Sequence, residues 1–424
     1  MSDPKPVALP LLVLPVREQR YSCHGCGNCC RDFTVQLRPA DLEKLLAQNW
    51  ETKLGMPVTT EFRGTTYLRQ REDGACVFLM DDGLCRIHKE HGFAEKPIAC
   101  QLFPFVLVPD DRKTHVGISF ACQSVRENKG AELRSHLEEA HRMSLGVPET
   151  RLATAPPSLA DAMSAKEGEL DALAQLLDRH LARDDLVIRD RFDGLAWIAA
   201  SLGRAKLADV RARRFRELVQ VLVGALPDEL EHLPLEGALP KQLRLLRQAV
   251  FARLEDVQVN EAKSRGRVRT VLAQLLASRA FTRGKGRAPA VARGLLGGVE
   301  FAAIARIPTL SESPDRDAID QLLARYARAT ILGGRAWGAG YYGWPAVRGL
   351  QALVLNIACT AWLARALAAA RGHEHATIDD ARDALGRIDR HAGRAPWLGS
   401  VTERLRLEFF RLDDGLRRIT RESV

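Results

Sequence analysis

Eight of the nine cysteines fall between residues 23 and 122, and four of those stand in the eight-residue stretch CHGCGNCC (23–30). Soft thiolates at two-residue spacing are ligands for zinc and for iron–sulfur clusters. A two-residue gap turns the backbone back on itself, so that both sulfurs can face one ion, and Gly25 and Gly27 supply the permissive backbone such a turn needs. The candidate metal ligands are therefore Cys23, Cys26, Cys29 and Cys30, followed by Cys76, Cys85, Cys100 and Cys122. The adjacent pair Cys29–Cys30 is informative, because neighbouring side chains diverge. Such a pair serves two ions, or two irons of one cluster, better than it serves a single zinc. Eight thiols suit two four-thiolate sites or one cluster with spare thiols, and spacing does not choose between them. His88 and His91 follow Cys85 closely and rank below the cysteines, as groups beside a metal rather than on it. A disulfide framework fits poorly, since the chain is large, its cysteines are confined to one quarter of it and no secretion signal is recognisable.

The elements that must position these thiols divide the chain. Residues 1–16 read as an extended lead-in segment, 17–125 as a cysteine-cluster domain and 126–424 as a helical domain with an internal break near 283–314. The expected fold class is a small loop-rich α+β metal-binding domain followed by a mainly α-helical domain. FTVQL (33–37) alternates as a strand does, RPADLEKLLAQN reads as a helix opened by Pro39, and short apolar pieces bounded by Asp-Gly turns at 73–74 and 82–83 follow. Beyond Ser124 the pattern predicts helices at 124–144, 158–182, 188–202, 206–225, 240–256, 264–281, 315–332, 345–371, 377–390 and 398–418, punctuated by prolines. Cys359 sits alone in an apolar helix and reads as a small buried hydrophobe. GGRAWGAGYYGWP (333–345) reads as a packed connection.

The net charge of +9 is unevenly spread. No acidic residue occurs between Glu261 and Glu300, a stretch that holds nine cations, among them Arg265, Arg267, Arg269, Arg283, Lys285 and Arg287. A solvated helix face is the ordinary reading, and an acidic protein partner is the functional one. Phe281 is the only aromatic residue among these cations, so nucleic acid is not expected. No uninterrupted apolar run approaches the ~20 residues of a membrane span, and the expectation is a cytoplasmic protein without a membrane segment.

The series CHGCGNCC, CVFLMDDGLCRIH and KPIACQLFPF, from Cys23 through Pro104, resembles the YkgJ-type cysteine-cluster family, a zinc- or iron-chelating domain whose members include the flagellin lysine methylases. Cys122 resembles the last cysteine of the methylase-like members. The family often carries Tyr where His88 stands, so the resemblance does not make His88 a ligand. It covers about a quarter of the chain. It implies an iron–sulfur cluster, with 4Fe–4S favoured, or zinc. It also implies S-adenosylmethionine-dependent methylation of a lysine on a protein substrate. No G-x-G-x-x-G follows a strand and no C-x3-C-x2-C is present, so any S-adenosylmethionine site is of another kind. The alternatives are a metal-stabilised binding module without catalysis and an electron-transfer protein. The catalytic residues are not identified by any motif.

Overall fold

A computed structural model describes residues 11–12, 18–62, 64–110, 114–145, 157–232, 237–254, 267–290 and 294–424. The cysteine-bearing region begins with two short strands, β1 (Leu11–Leu12) and β2 (Arg20–Tyr21). The helices α1 (Asn28–Asp32), α2 (Pro39–Ala47) and α3 (Trp50–Leu54) follow, then the hairpin β3 (Thr59–Phe62) and β4 (Thr65–Leu68). Next come α4 (Arg86–His91), α5 (Ile98–Leu102), β5 (Phe105–Pro109), β6 (Thr114–Ile118), α6 (Gln123–Arg126), β7 (Ala131–Glu132) and α7 (Leu137–Leu145). A small hairpin, β8 (Ser158–Ala160) and β9 (Met163–Ser164), precedes the helical remainder. That remainder comprises α8 (Glu169–Leu181), α9 (Ile188–Arg204), α10 (Arg213–His232), α11 (Pro240–Leu254), α12 (Arg267–Arg283), α13 (Phe301–Arg306), α14 (Arg316–Leu332), α15 (Ala346–Arg371), α16 (Ile378–His391), α17 (Val401–Arg411) and α18 (Gly415–Ser423).

Apolar side chains sort into two cores. The smaller contains Leu37, Leu45, Trp50, Val58, Leu68, Val77, Phe78 and Ile87, with Cys76 inside it and Cys30, Cys85 and Cys100 at its margin. Trp50 meets Phe78 edge-on at 5.1 Å between ring centres. The larger core is helical, and α15 runs through its middle. Its most apolar stretch would be long enough to cross a membrane, but 89% of that stretch is buried inside the protein. This helix carries the chain's apolar excess while Gln351, Asn356 and Thr360 interrupt it, which is why no plain apolar run stands out in the sequence. The three-stranded sheet, in the order β1-β6-β5, lies among the cysteines in sequence, yet Phe105, Val116, Ile118 and Phe120 belong to the larger core. Cys359 is fully buried there, and Ala336, Trp337, Tyr341 and Trp344 of the glycine-rich connection are buried too.

Five expected elements differ. The helix expected over 206–225 begins at Arg213 and runs through Pro227 to His232, so that proline does not end it. FTVQL is not a strand: only Gln36 bridges Tyr67. Phe33, Thr34, Val35 and Gln36, four consecutive residues, line a cavity, so the segment does not set alternate residues on opposite faces. The helix expected over 124–144 is broken after Arg126, where Asn128 adopts a left-handed φ of 56° and β7 pairs back on β2. The helix expected over 158–182 begins only at Glu169, because β8 and β9 form a hairpin first. The helix expected over 398–418 is interrupted at Asp413 and Asp414, both left-handed. Lys241 fixes that break by pairing with Asp413 at 2.6 Å.

Candidate metal centre

The CHGCGNCC segment folds as a tight knuckle. Gly25 and Gly27 take φ values of 66° and 71°, and Gly27 caps the first turn of α1, where the Cys30 N–H donates to the Gly27 carbonyl at 3.0 Å. The Asp82–Gly83 turn presses on the knuckle from outside: a Cβ on Gly83 would stand 2.5 Å from the Gly25 carbonyl oxygen. Two further side chains of the segment hold the Cys122 stretch beside it. His24 Nδ1 lies 2.6 Å from Ser124 Oγ, and the Asn28 amide donates to Gln123 Oε1 at 2.7 Å. Neither contact was foreseen from the thiols alone, although all four residues lie within two positions of a cysteine in sequence.

The other thiols are held by equally local devices. The Cys76 N–H donates to the Cys30 carbonyl at 2.7 Å, which fastens the GACVFL stretch to the knuckle. Cys85 is the N-cap of α4, Cys122 is the N-cap of α6, and Cys100 sits in α5. The Asp41 carboxylate orients α5 by accepting the Ile98 N–H at 2.9 Å. Backbone N–H groups also point at sulfur: that of Asn28 at Cys26, that of Phe78 at Cys76, and those of Ser124 and Val125 at Cys122. Such bonds favour the thiolate, the form that binds metal.

Charge interactions sort the thiols into two overlapping groups. Cys76, Cys85, Cys100 and Cys29 feel one another. Cys23, Cys26, Cys29 and Cys122 form the other set, with Tyr21 beside them. Cys29 stands in both, and its thiol is hydrogen-bonded to the Cys30 side chain, the main reason its pKa is raised. Burial pushes the Cys76 and Cys100 thiols up to about 12 and Cys122 to about 11. All nine cysteines are free, with no disulfide. Among the described residues no group of three or more His, Cys, Asp or Glu stands close enough together to hold a metal ion. Instead Cys29, Cys30, Cys76, Cys85 and Cys100 border a cavity of about 390 Å³, walled by Phe33, Val35, Phe78 and Phe103 and edged by Arg38, Lys96 and Arg394. Clustered soft donors, N–H groups aimed at sulfur and room between the thiols together fit a thiolate-bound metal.

The helical region contributes to this site. Arg390 pairs with Asp32 at 2.7 Å, and both Arg390 and Arg394 lie 5.8 Å from the centre of the Phe33 ring. Arg126 donates to the Phe120 and Ala121 carbonyls at 2.9 and 2.7 Å, and its charge is felt at Cys26 and Cys122. Sequence reading missed these arginines because they lie outside the cysteine pattern or at its far edge.

His88 and His91 are exposed on α4 and do not line the thiol cavity. His88 meets Phe93, and His91 meets Trp50 and lies 3.2 Å from Lys53 Nζ. Among the basic candidates, Arg269, Arg283, Lys285 and Arg287 are exposed, Arg267 opens α12, and Arg265 lies outside the described residues.

Residues 22–129 match the family model named for the pattern CxxCxxCC and described as a "putative zinc- or iron-chelating domain". The match covers the cysteine-bearing region alone, about a quarter of the chain. Among individual proteins, an uncharacterized protein of Methanocaldococcus jannaschii is 30% identical over 112 residues, which are 26% of this chain and 38% of that protein. The similarity therefore spans well under half of the relative's length. No solved structure matches the chain.

Proposed function

We propose that the protein holds iron or zinc through two thiolate groups, Cys30, Cys76, Cys85 and Cys100 in one and Cys23, Cys26, Cys29 and Cys122 in the other. The observation that carries this reading is the sorting of the thiols. The first four gather in and around the small core, while Cys122 packs against the large core and is tied to the knuckle through Ser124 and Gln123. Cys29 adjoins both groups and its thiol bonds to the Cys30 side chain, so the pair stands where the two groups meet. A cavity of about 390 Å³ exceeds roughly tenfold the ~30 Å³ share of one water, which supports a cluster over a bare ion in the first group. Such a centre would supply redox-active or Lewis-acidic iron.

Cys23 and Cys26 are exposed, an arrangement that favours electron exchange with a partner as a second reading. Methyl transfer from S-adenosylmethionine to a protein lysine rests on the resemblance to the methylases, and in that reading the helical region that meets the thiol site would shape the substrate groove.

Anaerobic reconstitution with ferrous iron and sulfide, in parallel with zinc, tests the proposal. A visible absorption band bleached by dithionite supports the cluster, and a colourless protein with stoichiometric zinc assigns zinc instead. Failure to retain either metal overturns the reading. Calorimetry of the metal-loaded chain with S-adenosylmethionine tests the methylase reading, which the absence of binding would remove.

A further inference from the structure

The helix α12 carries apolar residues on two opposite sides. One side is satisfied: Phe281 is fully buried and meets Phe251 at 5.4 Å and Phe301 at 5.5 Å. Arg247 fastens that end by donating to the Phe281 and Thr282 carbonyls at 2.9 and 3.2 Å. The opposite side is not satisfied. Val271, Leu272, Leu275 and Leu276 are 49%, 56%, 52% and 57% exposed. Contiguous exposed apolar side chains mark interaction sites more often than bare surface, and this face lacks a cover among the described residues.

The charges along that face say what kind of cover it takes. Arg269, Leu272, Leu276, Arg279 and Arg283 follow one another at steps of three and four residues and therefore form a single line along the helix. Arg269, Arg279 and Arg283 are exposed, as are Lys285 and Arg287 just beyond. No ion pair joins any of these five to a carboxylate among the described residues. The line thus reads cation, leucine, leucine, cation, cation.

We propose that this face is a docking surface for an acidic amphipathic helix of another protein, with apolar residues set against Leu272 and Leu276 and carboxylates set against Arg269, Arg279 and Arg283. A second copy of the chain fits poorly, because antiparallel self-pairing brings arginine against arginine at both ends. An anionic lipid surface fits poorly as well. Helices that lie in a bilayer interface keep their cations on the polar face, whereas here the arginines share the line of the leucines and would be drawn toward the acyl chains with them. The exposed apolar residues from Val271 to Leu276 span under two helical turns, ~9 Å, about the width of one partner helix.

The test uses the full chain and a fluorescein-labelled synthetic peptide of about four turns, with Leu and Glu at matching spacing, followed by anisotropy. A scrambled peptide of the same composition and vesicles of phosphatidylcholine with phosphatidylglycerol serve as competitors. The wild-type chain should bind the peptide, and salt should weaken the complex. Leu272→Ser with Leu276→Ser, and separately Arg279→Glu with Arg283→Glu, should each weaken it by about tenfold or more. All four positions are exposed, so folding is expected to survive and is checked by circular dichroism. Equal binding of the scrambled peptide, unchanged affinity in the variants, or binding to vesicles alone would overturn the proposal. So would a wild-type dimer that the leucine variant dissociates, since the cover would then be a second copy.

Discussion

The Arg390 guanidinium, in the last turn of α16, stands 2.7 Å from the Asp32 carboxylate, two residues beyond Cys30. This pair joins the end of the cysteine knuckle to the helical region and brings Arg390 over Phe33, whose ring meets Phe103, tilted, at 5.1 Å in the wall of the thiol cavity. Replacing Arg390 by Ala should cost about 1–3 kcal/mol, the range for hydrogen bonds to charged groups. It should also quicken the reaction of the cavity thiols with a disulfide reagent in the metal-free protein. Urea denaturation and thiol-labelling rates check both. Unchanged labelling with unchanged stability would show that the pair does not close the site.

The contact between the Gly83 turn and the knuckle predicts an asymmetry among glycines. Gly83→Ala places a Cβ 2.5 Å from a backbone oxygen at a φ of 80°, and should both lower the denaturation midpoint and reduce metal retention. Gly55→Ala, at a φ of 65° with nothing within 4 Å, should cost only the left-handed strain of about 1 kcal/mol and leave metal content alone. Equal effects at the two positions would contradict the role assigned to the turn.

A buried carboxylate should make stability depend on acid. Asp389 accepts hydrogen bonds from Ser119 Oγ at 2.8 Å, the Ala121 N–H at 3.2 Å and Arg335 Nη2 at 2.9 Å. Burial alone would raise its pKa, but Arg335, Arg394 and these hydrogen bonds outweigh burial and hold it below the usual carboxylate value. A depressed folded pKa contributes stability above the unfolded value of about 3.9 and loses it as pH falls through the folded one. Asp389→Asn leaves Arg335 without its counter-charge and should cost about 3–5 kcal/mol at neutral pH. The gap from wild type should narrow below about pH 4, which denaturant titrations at several pH values would reveal. A gap that stays constant with pH would place the main effect elsewhere.

If the thiols form two groups, their variants should separate. Cys100→Ser should remove the metal of the first group and destabilise the small core, while Cys122→Ser should spare that metal and remove the other. Metal stoichiometry of each variant, measured after identical anaerobic preparation, distinguishes them. Complete loss in both would favour one shared centre built around Cys29.

Much of the thiol site was legible because ligand chemistry is written in residue type and spacing. The paired Cys29–Cys30 was expected to diverge, whereas the two thiols bond to each other and border the same cavity. Long helices such as α15 and α16 were legible for a similar reason, since their signals of apolar density and the Thr377 cap are local. The arginines that meet the knuckle were not legible, because Asp32–Arg390 and Ser119–Asp389 join residues far apart in sequence. The alternation in FTVQL misled because it is a short local pattern: the segment makes one bridge, Gln36 to Tyr67, and its consecutive residues all line the cavity.

The most direct measurement is the metal content of the full chain purified without oxygen and without added metal, by elemental analysis beside a thiol count. Zinc or iron bound by the chain, protected thiols, and loss of both metal and protection in Cys100→Ser are the expected result. A folded protein free of both metals, with its cysteines freely reactive, would contradict it.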